Sequence, residues 1–194
     1  MAITHLLYLH GFRSSPQSAK ARQIGARLAQ EHPQVHWWCP ALPVAPREAM
    51  AMIQSGTAHW PTGHMAVVGS SLGGFYATVV AEARGCRAVL LNPAVDPARD
   101  LARHVGAHTL WHDPNQAFEF EPGFVDELKA LTPEALTRLE RYCAVIAKGD
   151  EVLDWREMAA RYAGAHIRLL EGSDHALSDF DQHIGNVLGF LELA

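Results

Sequence analysis

Val67-Val68-Gly69-Ser70-Ser71-Leu72-Gly73-Gly74-Phe75-Tyr76 is the stretch from which the rest of the chain can be read. It opens as an apolar, β-branched run, passes through small residues, and continues into the helix-compatible Ala77-Thr78-Val79-Val80-Ala81-Glu82-Ala83. That order predicts a strand, a sharp turn and a helix, with Gly69, Ser71 and Gly73 in a G-x-S-x-G pattern. A serine on so tight a turn sits in strained backbone, and glycine two residues away on each side keeps strand and helix from colliding. The helix N-terminus then points at the serine, where it favours developing negative charge. Ser70 is the rival nucleophile, but Ser71 alone has glycine at both offsets.

Working outward, short apolar runs alternate with helical patterns. Leu6-Leu7-Tyr8-Leu9 reads as a buried strand that runs into a His10-Gly11-Phe12 loop. A helix is expected over about residues 18–31, a strand at Val35-His36-Trp37-Trp38-Cys39, and a helix from Pro46 to Gly56. Further strands are expected at Arg87 to Leu91, Cys143 to Ala147 and Ile167 to Leu170. Thr132-Pro133 reads as the start of a short helix, Asp154 with Glu157 as a capping box, and residues 179–191 as a terminal helix. Residues 95–130, broken by Pro97, Pro114, Pro122 and Gly123, lack this rhythm and read as a lid-like insertion near the active site. The alternation predicts an α/β fold: one domain over residues 1–194 with a mainly parallel sheet of about six strands and helices on both faces.

Composition excludes several function classes. With 48% hydrophobic and 19% charged residues and a net charge of -5, the chain has no basic stripe for nucleic acid. Residues 65–81 carry no charge, but the Gly-Ser turn splits them, so no membrane span is expected. The N-terminus lacks the basic start of a secretion signal. Three scattered cysteines, Cys39, Cys86 and Cys143, fit reduced thiols of a cytoplasmic protein.

In a parallel sheet, functional residues gather past the carboxyl ends of the strands. Those positions hold His10-Gly11-Phe12, Ser71, Asn92, Asp150 and His175, so a serine, an acid and a histidine follow three different strands. The serine needs an imidazole to take its proton, the imidazole needs a carboxylate to fix its tautomer, and the oxyanion needs backbone donors. Ser71, Asp150 and His175 are the candidate triad, and the amides of Phe12 and Leu72 the candidate oxyanion hole. Glu151 or Asp154 could replace Asp150 as the acid, although Asp154 is better placed as a helix cap. His10, expected to support the oxyanion loop by hydrogen bonding, and Phe118 and Phe120 of the insertion are the candidate substrate-binding residues. The spacing of the 12 histidines gives no metal motif.

Five blocks now carry a resemblance: Tyr8-Leu9-His10-Gly11-Phe12 with Ser14-Ser15-Pro16; Gly69 to Gly74; Leu91-Asn92-Pro93-Ala94; Gly149 to Asp154; and Gly172-Ser173-Asp174-His175. The chain resembles the α/β-hydrolase superfamily, and more narrowly the small bacterial YqiA-type esterases of the UPF0227 group. That resemblance implies esterase or thioesterase activity on acyl esters, acyl-CoA among them, with neither a metal nor an organic cofactor. An amidase or peptidase with the same triad, and a non-catalytic scaffold of the same fold, are the alternatives.

Overall fold

The computed structural model describes residues 2–193. In chain order the elements are β1 (His5–Leu9), α1 (Ala19–Glu31), β2 (His36–Trp38), α2 (Pro46–Thr57), β3 (Met65–Ser70), α3 (Leu72–Arg84) and β4 (Arg87–Leu91). There follow α4 (Pro97–Ala102), β5 (Gly106–Thr109), β6 (Ala117–Phe120), α5 (Pro122–Leu131), β7 (Tyr142–Ala147), α6 (Trp155–Arg161), β8 (His166–Leu170) and α7 (Ile184–Phe190).

Six strands form one parallel sheet in the order β2-β1-β3-β4-β7-β8. Period-two alternation sends successive residues to opposite faces. Leu7, Leu9, Val67, Leu90 and Ile146 pack with residues of α2, α3 and α6 on one side. Leu6, Tyr8, Val68, Val89 and Val145 pack with α1 and α7 on the other. Both faces are covered, which is why β3 is buried along its whole length and reads as a continuous apolar run. Because every strand runs the same way, all the carboxyl ends lie along one edge.

Residues 95–130 are more ordered than their composition suggests. They form α4, the antiparallel hairpin β5–β6, and α5. Asp96 caps α4 by accepting from the Arg99 amide at 3.1 Å, with Pro97 behind it. Side-chain hydrogen bonds tie this segment to the body, among them one from the Arg47 amide of α2 to the Glu127 Oε2 at 2.9 Å. The Arg99 guanidinium grips both Glu157 oxygens on α6 at 2.9 and 2.6 Å, and the Arg13 Nε donates to the Thr109 carbonyl at 2.8 Å.

Three local expectations need correction. Thr132-Pro133 ends a helix instead of starting one: the Thr132 hydroxyl donates back to the Leu128 carbonyl at 3.0 Å, and Pro133 bars its predecessor from helical backbone. At α6 only half the capping box forms. Asp154 accepts from the Arg156 amide, while Glu157 turns to Arg99. The C-terminal helix is shorter than expected, a 3₁₀ turn at Phe180–Gln182 followed by α7.

The turn after β3 is the tightest place in the sheet. A Cβ on Gly73 would stand 2.0 Å from the Leu9 carbonyl oxygen, and one on Gly69 would stand 2.1 Å from the Gly73 oxygen. Both obstacles are backbone, the first fixed in β1 and the second in α3, so neither can yield. Gly73→Ala is therefore expected to destabilise by about 3 kcal/mol or more, the upper end for overpacking. Gly123→Ala, where the new methyl meets nothing within 4 Å, is expected to be neutral or stabilising. Urea denaturation of both variants checks this, and equal midpoints would show that the turn is not tight.

Candidate active site

Ser71 follows β3 with φ 56° and ψ -122°, in a region that disfavours any side chain. Its amide donates to the Leu91 carbonyl at 3.0 Å, and its carbonyl accepts from the amides of Gly74 and Ala94. These bonds hold the strained residue between strand, helix and the loop after β4.

His175 comes from the loop after β8. Its Nε2 lies 3.0 Å from the Ser71 Oγ, and its Nδ1 lies 2.8 Å from the Asp150 Oδ2. The Asp150 side chain is 0% exposed and that of His175 20%. Ionised carboxylate accepts only, so the Nδ1 carries the proton and the Nε2 is free to accept from the serine hydroxyl. The other oxygen of Asp150 accepts from the Val152 and Leu153 amides, both at 2.8 Å. One carboxylate thus fixes both the turn after β7 and the imidazole. Asp154 takes no part, being occupied with its helix. Glu151 bonds the His175 amide through its Oε2 at 3.0 Å and holds the loop, not the ring.

Asn92, at the end of β4, has a place the sequence alone did not reveal. It is fully buried, with φ 42°. Its Nδ2 donates to the carbonyls of Asp174 and His175, and its Oδ1 accepts from the Ala147 amide at 2.8 Å. One amide therefore joins the end of β7 to the loop that presents His175.

Leu72 is the first residue of α3, so its amide has no carbonyl partner within the helix. Gly11 packs against Ser71, where a Cβ would lie 3.2 Å from that of the serine, and Phe12 is the next residue along the chain. Both residues line a cavity of about 310 Å³ that also reaches Ser71 and His175. Its roof comes from the insertion: Pro97, Leu101 and His104, with Trp111, which is 69% exposed.

The residues read as substrate-binding lie elsewhere. Phe120 is 1% exposed and packs in the core against Phe12 and Phe124. Phe118 stacks edge-on to Phe12 and borders a smaller hollow behind that ring. Neither reaches the large cavity, because alternation along β6 and the Phe12 ring turn them inward. His10 is buried too. Its Nε2 accepts from the Leu42 amide at 3.1 Å, which leaves the Nδ1 proton for the Gly11 carbonyl at 3.0 Å. Both nitrogens are used to brace the loop. Among the described residues, no group of three or more His, Cys, Asp or Glu side chains could hold a metal ion, and no helix is long and apolar enough to cross a membrane.

A strained serine turn at the carboxyl edge of a parallel sheet, with helices on both faces, defines the α/β-hydrolase fold. Solved structures agree. Est1E from Butyrivibrio proteoclasticus with ferulic acid bound matches at TM-score 0.72 and 13% identity, over 99% of this chain and 89% of its own. Alpha/beta hydrolase domain-containing protein 10 from mouse matches at TM-score 0.68 and 15% identity, over 96% and 90%. The Pyrococcus furiosus esterase PF2001 matches at TM-score 0.63 and 14% identity, over 98% and 82%. At such identities the likeness is one of fold. The chain itself belongs to the Uncharacterised protein family (UPF0227), whose model matches residues 5–192, as the motif blocks led us to expect.

Burial holds the pKa of His10 below its ordinary 6.5. The folded protein therefore binds this proton more weakly than the unfolded chain does. The stabilising contribution is full above about 6.5 and is lost as pH falls below it. Burial shifts His5 and His104 the same way. The thermal midpoint is expected to drop between about pH 6.5 and 5, less steeply in His10→Gln, whose amide oxygen can still accept from Leu42. Identical slopes for the two proteins would remove His10 from this role.

Proposed function

We propose that this protein is a serine hydrolase that cleaves carboxylic esters or thioesters through an acyl-enzyme. The Ser71–His175–Asp150 chain of hydrogen bonds, at 3.0 and 2.8 Å, is the observation that carries the reading. The esterases among the solved structures of similar fold lend it support.

In this mechanism the Ser71 Oγ attacks the acyl carbon while the His175 Nε2 takes its proton. Asp150 stabilises the imidazolium and keeps it oriented. The Phe12 and Leu72 amides, with the N-terminus of α3 behind the latter, receive the charge that forms on the carbonyl oxygen. Collapse expels the alcohol or thiol, protonated by His175, and leaves the acyl group on Ser71. Water activated by the same histidine then releases the acid. Each oxyanion donor is worth a factor of about 10²–10³ in kcat. The free thiols of Cys39, Cys86 and Cys143 suit a reducing, cytoplasmic setting.

Steady-state hydrolysis of a short-chain aryl ester tests the assignment. Ser71→Ala and His175→Ala should each lower kcat by roughly 10⁴-fold or more, and the double variant by little more than either alone, since the residues act as a unit. Asp150→Asn keeps an acceptor for the Val152 and Leu153 amides, so it should fold, yet lose about 10⁴-fold through the wrong imidazole tautomer. Ser70→Ala should remain active. A fully active Asp150→Asn protein would place the acid elsewhere.

A further inference from the structure

The charge of the cavity wall runs against that of the molecule. The chain has 21 acidic and 16 basic residues, yet Arg13, Lys20 and Arg103 line the cavity beside Ser71 and only one carboxylate, Asp100, joins them. Arg99 holds the Asp100 Oδ1 at 2.9 Å from outside the wall, while the Asp100 Oδ2 is buried with no hydrogen-bond partner among the described residues.

The three cations keep donors to spare. The Arg13 guanidinium carbon stands over the Trp111 ring, 3.8 Å from its centroid, and the Nε donates to the Thr109 carbonyl. Among the described residues its terminal nitrogens take no hydrogen bond, and no ion pair engages Arg13 or Arg103. Lys20, on the first turn of α1, donates to the Ala176 carbonyl and keeps two further protons. Burial pushes the Lys20 ammonium down to about 8, against the opposing pull of Asp174 and Asp150. His104, on the same wall, is held below its ordinary value first by burial and then by the neighbouring Arg103, His108 and Arg13. Arg13 and Lys20 are half-buried and Arg103 is exposed, and like charges set on one wall repel each other and are relieved by a bound anion.

We propose that this cavity is a carboxylate-binding subsite, and that the preferred substrate is an ester or thioester carrying a free carboxylate a few bonds from the scissile carbonyl. The inference rests on the hydrolase reading and narrows its substrate class. At about 310 Å³ the space stands at the small end of ligand pockets, suited to the acyl chain of a short dicarboxylic acid or to the ring of a hydroxy acid. Planar guanidinium groups at Arg13 and Arg103 match the two oxygens of a carboxylate, with the Lys20 ammonium as a point charge beside them.

Two matched pairs of esters test it and separate the source of the charge. The monoaryl ester of adipic acid against the aryl ester of hexanoic acid places the carboxylate on the acyl side. The butyrate ester of 4-hydroxybenzoate against that of 4-hydroxybenzamide places it on the leaving group. In at least one pair the charged ester should have the higher kcat/KM, by about tenfold at low salt, shrinking as NaCl rises from about 0.05 to 0.5 M. Arg103→Ala and Lys20→Met should each reduce that charged-to-neutral ratio several-fold, and Lys20→Arg should restore most of it. Calorimetry on Ser71→Ala reads binding without turnover and should show tighter binding of the charged member. Ratios near one in both pairs, or ratios untouched by both charge removals, would overturn the inference. Absence of all hydrolysis, with the charged ester still bound more tightly, would strike the hydrolase reading and leave the anion subsite standing.

Discussion

The positive φ of Ser71 is the constraint on which the rest of this structure depends. A residue with a side chain in that region costs about 1–3 kcal/mol, so its surroundings must impose it. The backbone does so from three directions: the Leu91 carbonyl, the Gly74 amide and the Ala94 amide all bond Ser71 itself. The close passages at Gly69 and Gly73 then lock strand against helix. The helix that follows buries Phe75, Tyr76 and Val80. At about 1.5–3 kcal/mol for each large apolar side chain fully buried, that packing outweighs the strain of a single residue. The strain aims the hydroxyl out of the sheet edge, where a side chain in ordinary strand geometry would point into one of the two helix layers.

From this fixed point the remaining site residues are placed by loops that brace each other. Asn92 ties the end of β7 to the histidine loop, Glu151 bonds the His175 amide, and Asp150 shares its oxygens between a turn and the imidazole. His10 performs the same service for the loop after β1. Asn92, Asp150 and the exposed Glu151 thus cross-bond the loops after β4, β7 and β8. Buried His10 joins the loop after β1 to the one after β2, and the whole arrangement rigidifies what it connects. The insertion is anchored to the same frame through Arg13 and Arg99, and it supplies a roof with charge on it.

The sheet and the three hydrogen-bonded side chains of the proposed triad were legible because they follow strong local rules. Parallel strands buried on both faces leave unbroken apolar runs, and the carboxyl ends of those runs pick out Ser71, Asp150 and His175 among many serines, acids and histidines. Residues 95–130 were opaque because their strands are four residues long and half exposed, so alternation has too few steps to register. Thr132-Pro133 misled because the same pair can open a helix or close one, and only the Leu128 carbonyl decides. Aromatic content also could not say which ring faces the cavity: the hairpin register sends Phe120 to the core, while contacts with Arg13 hold Trp111 at the rim. The cationic wall joins residues 13 and 20, around the start of α1, to residue 103 at the end of α4, and leaves no linear pattern.

The central claim is that Ser71 is a nucleophile activated by its contact with His175. Reaction of the folded protein with a fluorophosphonate, followed by peptide mapping in a mass spectrometer, tests it most directly. One label per chain, carried by Ser71 and lost in His175→Ala and on denaturation, is the predicted result. A label on Ser70, or labelling of Ser71 that persists at the same rate without His175, would contradict it.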